Sequence, residues 1–276
     1  MGDLAADTDI ERLDAGRFRA APSRDWEIWG PMGGYIASFA LRAVGATVPA
    51  GFVPASMSAH YLGVARFEPI DIRVVERRAG RSAGSHRVEI GQDGTPIVDA
   101  MVWSAPPGDG LEHDEAVAPV LPGPDELPTI RELLGADEPS PYAFWENLDA
   151  KPTAFEQPWP PDGPRPARWQ EWLRFRPTPT FDDPWVDAIR SLILVDLPGW
   201  PSASRPHAWS QPKFIGPTLD VNVVFHRSTA DEPWLLADGA APVSTGGLFG
   251  WNARVWSPSG QLHASGGGQC IYRRTK

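Results

Sequence analysis

The chain of 276 residues is long enough for two modest domains or one large one, and its 42% hydrophobic share is ample for a core. The formal net charge of −10 argues against a nucleic-acid partner, because phosphate binding needs clustered Lys and Arg. No segment approaches the roughly 18 apolar residues of a membrane span, the N-terminus has no secretory leader pattern, and the single cysteine, Cys270, excludes an internal disulfide. We therefore expect a soluble, cytoplasmic protein without membrane insertion.

The first hundred residues predict one main helix followed by antiparallel strands. A helix-like run extends from Gly33 to Val48 and stops at Pro49. Segments rich in β-branched residues and bounded by glycine then predict strands at Ile70–Glu76, Ser85–Ile90 and Pro96–Trp103. A long helix wrapped by a curved antiparallel sheet is an α+β arrangement.

A stretch rich in Pro and acidic residues follows, and its composition resists both helix and central strand. It predicts a connector over residues 106–168, between an N-terminal domain of residues 1–105 and a C-terminal domain of residues 169–276. Short helical turns are expected inside the connector, around Thr129–Leu134 and Pro141–Asn147.

The second half resembles the first in its order of features. The nine residues Tyr61–Pro69 match Phe225–Pro233 in length, and both segments close on Glu-Pro. Turns at Asp93-Gly94 and Ser259-Gly260 each precede a last strand. The offsets are 164 and 166 residues (233 − 69 and 260 − 94), and such a near-constant spacing predicts an internal duplication.

The helix of the second half carries a candidate catalytic acid. A helix-like run from Pro184 to Leu197 stops at Pro198, and its apolar stripe continues onto Asp196. A carboxylate there faces the interior and lies near a helix C-terminus, where the dipole disfavours negative charge. Two such penalties indicate a residue kept for chemistry. The alternative is a frayed last turn with a solvated Asp196.

Two further candidates lie on strands. Thr218 opens a strand in which, by alternation, Leu219 and Val221 share the face that packs on the helix while Thr218 takes the other face. A strand Thr taken alone indicates β-propensity. Gln269 follows three glycines, which predict a bulge or a close backbone approach that re-aims its amide. The alternative is an ordinary surface amide.

Several motifs in order along the chain carry a resemblance to one family. They are IERLDAGRFRA (Ile10–Ala20), the Gly33-Gly34 helix start, RAGRS (Arg78–Ser82), the Asp196-Leu197 helix end, TLDVNVVFHR (Thr218–Arg227), WLLAD (Trp234–Asp238) and GQLHASGGGQ (Gly260–Gln269). Together they resemble the TesB-type acyl-CoA thioesterases. The resemblance implies a tandem (double) hot-dog fold of class α+β, in which each half is a long helix wrapped by a curved antiparallel sheet.

The same resemblance implies the site. The family's Asp, Thr and Gln all come from the second module, and by motif match they are Asp196, Thr218 and Gln269. The family often has one residue fewer than this chain between the final Ala-Ser and the Gln. By the repeat, Thr47, Pro54 and Trp103 correspond to these three residues, so the first half lacks an acid or an amide at these places.

The start of the first helix is a candidate substrate-binding segment. Backbone N–H groups at Gly33 and Gly34 are placed to polarise a thioester carbonyl, although a tight turn with close packing explains the glycines equally well. Gly34-Tyr35 stands where bacterial members of the family commonly have Gly-Gln, which implies a different substrate preference. We therefore group Tyr35 with the two glycines.

Other signals are weaker. Residues Gly80–Gly84 fit the G-x-S-x-G pattern of serine hydrolases, but the flanks predict strands on both sides and hence a hairpin. The six His show no metal-ligand spacing.

The expected reaction is hydrolysis of an acyl-CoA by water that Asp196, Thr218 and Gln269 activate, with no cofactor and no acyl-enzyme. One rival is a hot-dog hydratase or dehydratase, which typically needs an Asp–His pair. Another is a non-catalytic acyl-CoA-binding protein. The resemblance also implies a homodimer of tandem chains.

Overall fold

A computed structural model describes residues 1–135, 140, 142–156, 163–207 and 214–275 of the chain. Within these ranges no helix is both long and apolar enough to cross a bilayer. The first half contains one main helix and six strands. Its elements are α1 (Leu4–Asp7), β1 (Glu11–Asp14), β2 (Arg17–Ala20), α2 (Gly33–Gly45), β3 (Val53–Tyr61), β4 (Ile70–Ala79), β5 (Gly84–Gln92) and β6 (Thr95–Ala105).

The rest of the chain again supplies one main helix, with shorter elements around it. Its elements are α3 (Ile130–Leu134), β7 (Leu148–Pro152), β8 (Arg168–Phe175), α4 (Pro184–Asp196), α5 (Gly199–Ser204), β9 (Phe214–Ile215), β10 (Thr218–Phe225), β11 (Leu235–Thr245), β12 (Leu248–Trp256), β13 (Leu262–Ile271) and β14 (Arg273–Arg274). Three-residue and five-residue 3-10 turns lie at Arg24–Trp26, Pro124–Glu126 and Ala143–Asn147.

The described strands form a twelve-stranded sheet in the order β1-β2-β4-β5-β6-β3-β10-β13-β12-β11-β8-β7, and β9 pairs separately with β14. Strand β3 of the first half pairs antiparallel with β10 of the second, with Ala59 opposite Val221, so the two half-sheets are continuous. Helices α2 and α4 pack against each other and against strands of this sheet. The main core lies between the helix pair and the sheet, because the strands alternate buried apolar and exposed residues.

The two halves repeat one arrangement. Strands β3 to β6 begin at residues 53, 70, 84 and 95, and β10 to β13 begin at residues 218, 235, 248 and 262, so equivalent strands lie 164 to 167 residues apart. Outward from the junction the order is β3, β6, β5, β4 in one half and β10, β13, β12, β11 in the other. Each main helix has 13 residues. The expected α+β class and the duplicated layout are both found in the structure.

The Pro-rich region contains more regular structure than its composition predicts. Helix α3 and the 3-10 turn at Ala143–Asn147 form where short helical turns are expected, although Pro141 itself lies outside the described residues. Strand β7 pairs with β8 and extends the second half-sheet at its edge. Its final residue, Pro152, is tolerated there because an edge strand has an unpaired side. Residues 80–84 form the β4–β5 hairpin, as predicted, rather than a strand-to-helix elbow.

Candidate active site

Asp196 is the last residue of α4 and is only 8% exposed. The helix begins at Pro184 behind the N-cap Asp183, whose carboxylate accepts hydrogen bonds from the amides of Trp185 and Val186. The apolar stripe of α4 packs into the core and brings Asp196 inward at the end of the helix. The predicted inward orientation of this carboxylate is therefore what the structure shows, and a frayed, solvated last turn is not.

Two groups hold the Asp196 carboxylate. The Gly34 backbone N–H at the start of α2 donates to Oδ2 at 2.8 Å, and the Thr218 hydroxyl donates to Oδ1 at 3.2 Å. Burial raises the pKa of Asp196 from 3.8 to about 6, while these two hydrogen bonds oppose the rise. Asp196 thus changes charge close to neutral pH, where a general base is most effective.

Thr218 reaches Asp196 because the strand is irregular there. Simple alternation predicts that Thr218 lies on the face away from the helix, and the structure contradicts that orientation. The register of β10 against β13 shifts between Thr218 and Asp220, so Leu219 is an extra residue in the ladder. A bulge of this kind moves the preceding side chain to the opposite face of the sheet. The hydroxyl therefore points to the helix end.

Gln269 is not brought to the carboxylate. Its side chain is exposed, and its neighbour Cys270 is the buried residue whose Sγ lies 3.8 Å from Thr218 Oγ1. Neighbouring residues of a strand point to opposite faces, so Gln269 faces away from Asp196. The three glycines before it pair in regular register with β10 and β12, so this described strand has no bulge that would re-aim the amide. The other expectation, a close backbone approach, is found, because a Cβ on Gly266, Gly267 or Gly268 would lie 1.9, 2.1 or 2.0 Å from a carbonyl oxygen of a neighbouring strand.

The space on the inner side of Gly268 is filled by an indole. Trp251 packs over Gly268, and its N–H donates to the carbonyl oxygen of Val195 at 2.9 Å. This bond satisfies one of the last carbonyl groups of α4, which lack partners within the helix. Trp251 therefore fixes the end of the helix that carries Asp196.

The start of α2 contributes through its backbone. Gly34 N–H is already used by Asp196, whereas Gly33 N–H has no hydrogen-bond acceptor among the described residues. A Cβ on Gly33 would lie 2.9 Å from Asp196 Oδ2, so only glycine leaves this space open. Tyr35 is placed differently from the sequence expectation. It is fully buried, and its hydroxyl donates to the Asp7 carbonyl and accepts from the Ser23 amide, in the core and away from the carboxylate.

The duplication creates a second, equivalent location, and it is filled. The last residue of α2 is Gly45, so Gly45 rather than Thr47 corresponds to Asp196. A Cβ on Gly45 would lie 2.5 Å from Cγ of Trp185, which stands in α4 where Gly34 stands in α2. At one location Gly34 at the start of α2 faces Asp196 at the end of α4. At the other location Trp185 at the start of α4 faces Gly45 at the end of α2. The second half-site therefore has neither a carboxylate nor free space.

One residue of the site has no counterpart in the sequence predictions. Tyr61 ends β3 of the first half, and its buried hydroxyl has no hydrogen-bond partner among the described residues. A Cβ on Gly33 would lie 3.3 Å from Tyr61 Oη, so this hydroxyl borders the same space as the Asp196 carboxylate. Burial, followed by the negative charge of Asp196, raises the pKa of Tyr61 well above its usual value.

Solved structures of similar shape identify the class of fold. An acyl-CoA thioesterase II TesB2 from Mycobacterium marinum has 24% sequence identity and a TM-score of 0.80, with 99% of each chain covered. A TesB protein from Mycobacterium avium subspecies paratuberculosis has 22% identity and a TM-score of 0.79, with 99% of this chain and 98% of that chain covered. A hot-dog protein of unknown function from Alicyclobacillus acidocaldarius has 20% identity and a TM-score of 0.80, with both chains fully covered. The fold is a double hot-dog.

Sequence comparison narrows the class. The model of the acyl-CoA thioesterase N-terminal domain matches residues 22–105, and the model of the acyl-CoA thioesterase C-terminal domain matches residues 124–267. The two matches leave little of the chain uncovered, and the chain belongs to the acyl-CoA thioesterase family. It is a thioester hydrolase whose substrate is an acyl-CoA.

Proposed function

We propose that the carboxylate of Asp196 is the general base that activates water for attack on the thioester carbonyl carbon. The observation that carries this proposal is the buried carboxylate at the end of α4, held by Gly34 N–H and Thr218 Oγ1 at 2.8 and 3.2 Å. These donors bind one lone pair on each carboxylate oxygen, and a carboxylate has about four acceptor sites. Acceptor capacity remains for the attacking water.

The proposed reaction involves two proton transfers, one from water to Asp196 and one from Asp196 to the CoA sulfur. Asp196 takes a proton from water as the oxygen adds to the carbonyl carbon, and the carbonyl oxygen becomes an oxyanion next to Gly33 N–H. The carbon–sulfur bond then breaks, CoA leaves as thiolate, and the proton on Asp196 passes to the sulfur. The products are the free acid and CoA. A base with a pKa of about 6 suits both directions of this transfer near neutral pH.

Thr218 has a positioning role in this scheme. Its hydroxyl donates to Oδ1 and so fixes the plane of the carboxylate. Its own oxygen still has lone pairs and accepts from a water molecule beside the carboxylate. We assign no catalytic role to Gln269 or Tyr35, because the exposed amide faces outward and the phenol ring lies in the core.

The geometry favours hydrolysis over the hydratase alternative. A hydratase of this fold needs a histidine beside the acid, yet the groups that influence the Asp196 pKa are Gly34 and Thr218 and include no histidine of the described residues. His60, near in sequence to Tyr61, is exposed on the opposite face of β3. The buried acid with a raised pKa also favours a catalytic site over a non-catalytic binder, because such groups cluster at catalytic sites.

Three further expectations belong to the same proposal. The chain acts in the cytoplasm, and two chains associate through sheet edges as a homodimer. Residues 1–105 and 169–276 form the two modules joined by residues 106–168, with β7 of the joining region completing the second half-sheet.

Turnover of acyl-CoA substrates tests the proposal directly. Wild-type protein is mixed with acyl-CoAs of increasing chain length, and released CoA is followed with a thiol-reactive dye while free acid is measured in parallel. We expect equal amounts of thiol and acid, and loss of both in Asp196→Asn. Acyl-CoA binding without release of either product would support the binder and contradict the hydrolytic assignment.

A further inference from the structure

We infer that Tyr61 is a further catalytic residue, whose hydroxyl donates a hydrogen bond to the thioester carbonyl oxygen. The inference rests on the proposed function, because it concerns the same space beside Asp196. It assigns to the first half of the chain a side-chain contribution to a site whose other side-chain groups, Asp196 and Thr218, come from the second half.

The first step of the argument is the unused hydrogen bond. Tyr61 Oη is buried and has no partner among the described residues. A buried hydroxyl without a partner costs about 1–3 kcal/mol relative to one that is bonded. By contrast, the Tyr35 hydroxyl has a hydrogen-bond partner at 2.7 Å, and the Tyr272 hydroxyl has one at 2.9 Å. A bound ligand with an acceptor atom would satisfy Tyr61.

The second step is the direction in which the hydroxyl lies. Met57, Ala59 and Tyr61 alternate on the inner face of β3, so the phenol points toward the helix pair. The position that a Cβ of Gly33 would take is 2.9 Å from Asp196 Oδ2 and 3.3 Å from Tyr61 Oη. The two oxygen atoms therefore border one space beside Gly33.

The third step concerns which donors remain available. Gly34 N–H, the obvious oxyanion donor at the helix start, is committed to Asp196. Gly33 N–H alone is a single donor, and tetrahedral oxyanions are typically held by two. The Tyr61 hydroxyl stays protonated at neutral pH, since burial and then the negative charge of Asp196 raise its pKa. It is therefore a permanent donor and completes a pair with Gly33 N–H.

The test compares Tyr61→Phe with wild type and with Tyr272→Phe, a tyrosine whose hydroxyl pairs with Ser244 outside the site. Tyr61→Phe keeps the ring and removes only an unpaired hydroxyl, so its melting temperature should equal or exceed that of wild type. We expect kcat to fall by roughly 100-fold, as for loss of one oxyanion donor. We expect KM to rise about fivefold, because the same hydrogen bond is present in the substrate complex. Tyr272→Phe should retain wild-type kcat.

The affinities of two CoA analogues show whether the Tyr61 hydroxyl contacts the substrate carbonyl oxygen or a water molecule. A ketone analogue of acyl-CoA, with CH₂ in place of sulfur, keeps the carbonyl oxygen, and an S-alkyl-CoA lacks it. Tyr61→Phe should weaken binding of the ketone about fivefold and leave the S-alkyl-CoA unchanged. Equal affinities for the ketone in both proteins, equal weakening of both ligands, or kcat within about twofold of wild type would each overturn the assignment.

The outcome also distinguishes this inference from the proposed function. If wild type hydrolyses acyl-CoA and Tyr61→Phe does so equally well, only the role of Tyr61 is lost. If wild type releases no thiol, hydrolysis is lost, while the two analogues still decide whether Tyr61 contacts the carbonyl.

Discussion

Replacement of Asp196 by Asn is expected to remove activity and, above pH 6, to stabilise the protein. In the wild type the carboxylate accepts hydrogen bonds at 2.8 and 3.2 Å from Gly34 N–H and Thr218 Oγ1. In the variant the amide oxygen still accepts from Gly34 N–H and the amide nitrogen donates to Thr218 Oγ1, so both hydrogen-bonded pairs remain. What the variant lacks is the buried charge and its capacity to take a proton from water. Loss of a general base lowers kcat by about 10²- to 10⁴-fold.

The size of the stability effect follows from the pKa. Asp196 titrates near 6 in the folded chain and near 3.8 when unfolded. The folded state therefore binds more protons between these values, so the contribution of this group is fully present below pH 3.8 and is lost as pH rises through 6. At about 1.4 kcal/mol per pKa unit, the loss is about 3 kcal/mol. The asparagine side chain of the variant does not titrate, and so the variant gains about this much relative to wild type.

Urea unfolding of both proteins at pH 4 and pH 8 measures this difference. The free energy of unfolding of Asp196→Asn minus that of wild type should increase by about 2.4 kcal/mol between the two pH values, because pH 4 already lies slightly above the unfolded pKa of 3.8. Asp71→Asn, which removes an exposed carboxylate paired with Arg19, is a control that should retain kcat. A difference that is constant with pH, or that favours wild type at pH 8, would refute the reasoning, as would wild-type kcat in Asp196→Asn.

Variants at two other positions, Thr218 and Gln269, test which side chains belong to the site. Thr218→Val removes the hydrogen bond to Oδ1 and should lower kcat by roughly 10- to 100-fold. It should also move the acidic limb of the pH profile to higher pH, because that bond lowers the Asp196 pKa; Thr218→Ser should restore both, and an unmoved limb counts against the contact. Gln269→Ala should keep kcat within about twofold and leave the melting temperature nearly unchanged, since the side chain is exposed. Loss of turnover in Gln269→Ala would reinstate the amide as part of the site.

The orientation of Asp196 is predictable from sequence because it depends on local periodicity. The stripe of α4 has a period close to that of an ideal helix, and Pro198 fixes where the helix must stop. The repeated order of helix and strands is predictable for the same reason. Each strand and turn has its own local signature, such as the Asp93-Gly94 turn before β6, where both residues have positive φ.

The predictions for Thr218 and Gln269 fail in orientation for a related reason. Side chains alternate between the two faces of a strand only while the strand is regular. The extra residue at Leu219 breaks this alternation, so Thr218 lies on the face opposite to the predicted one. The three glycines suggest an irregularity in β13, but the register there is regular and the irregular strand is its partner. A motif match identifies Gln269 by its residue type alone. The direction of its side chain depends on how the strands pair, which the motif does not contain.

Tyr61 and Trp185 could not be assigned roles from sequence because both depend on contacts between the halves. Strand β3 meets β10 across the junction, and this pairing brings Tyr61 to a site whose acid lies 135 residues further along the chain (196 − 61). The contact of Trp185 with Gly45 likewise joins the start of one helix to the end of the other. The signal that points to Tyr61 is its place at the end of the strand equivalent to the one that carries Thr218.

The dependence of kcat/KM on pH tests the role of Asp196 most directly, because this ratio reports the essential groups of the free enzyme. Thiol release from one acyl-CoA is measured between pH 4.5 and 8.5, with buffers of constant ionic strength. We predict a rate that increases tenfold per pH unit on the acidic side and becomes constant above a single pKa of about 6. A rate that is independent of pH from 4.5 to 8.5 would contradict a buried carboxylate acting as the base.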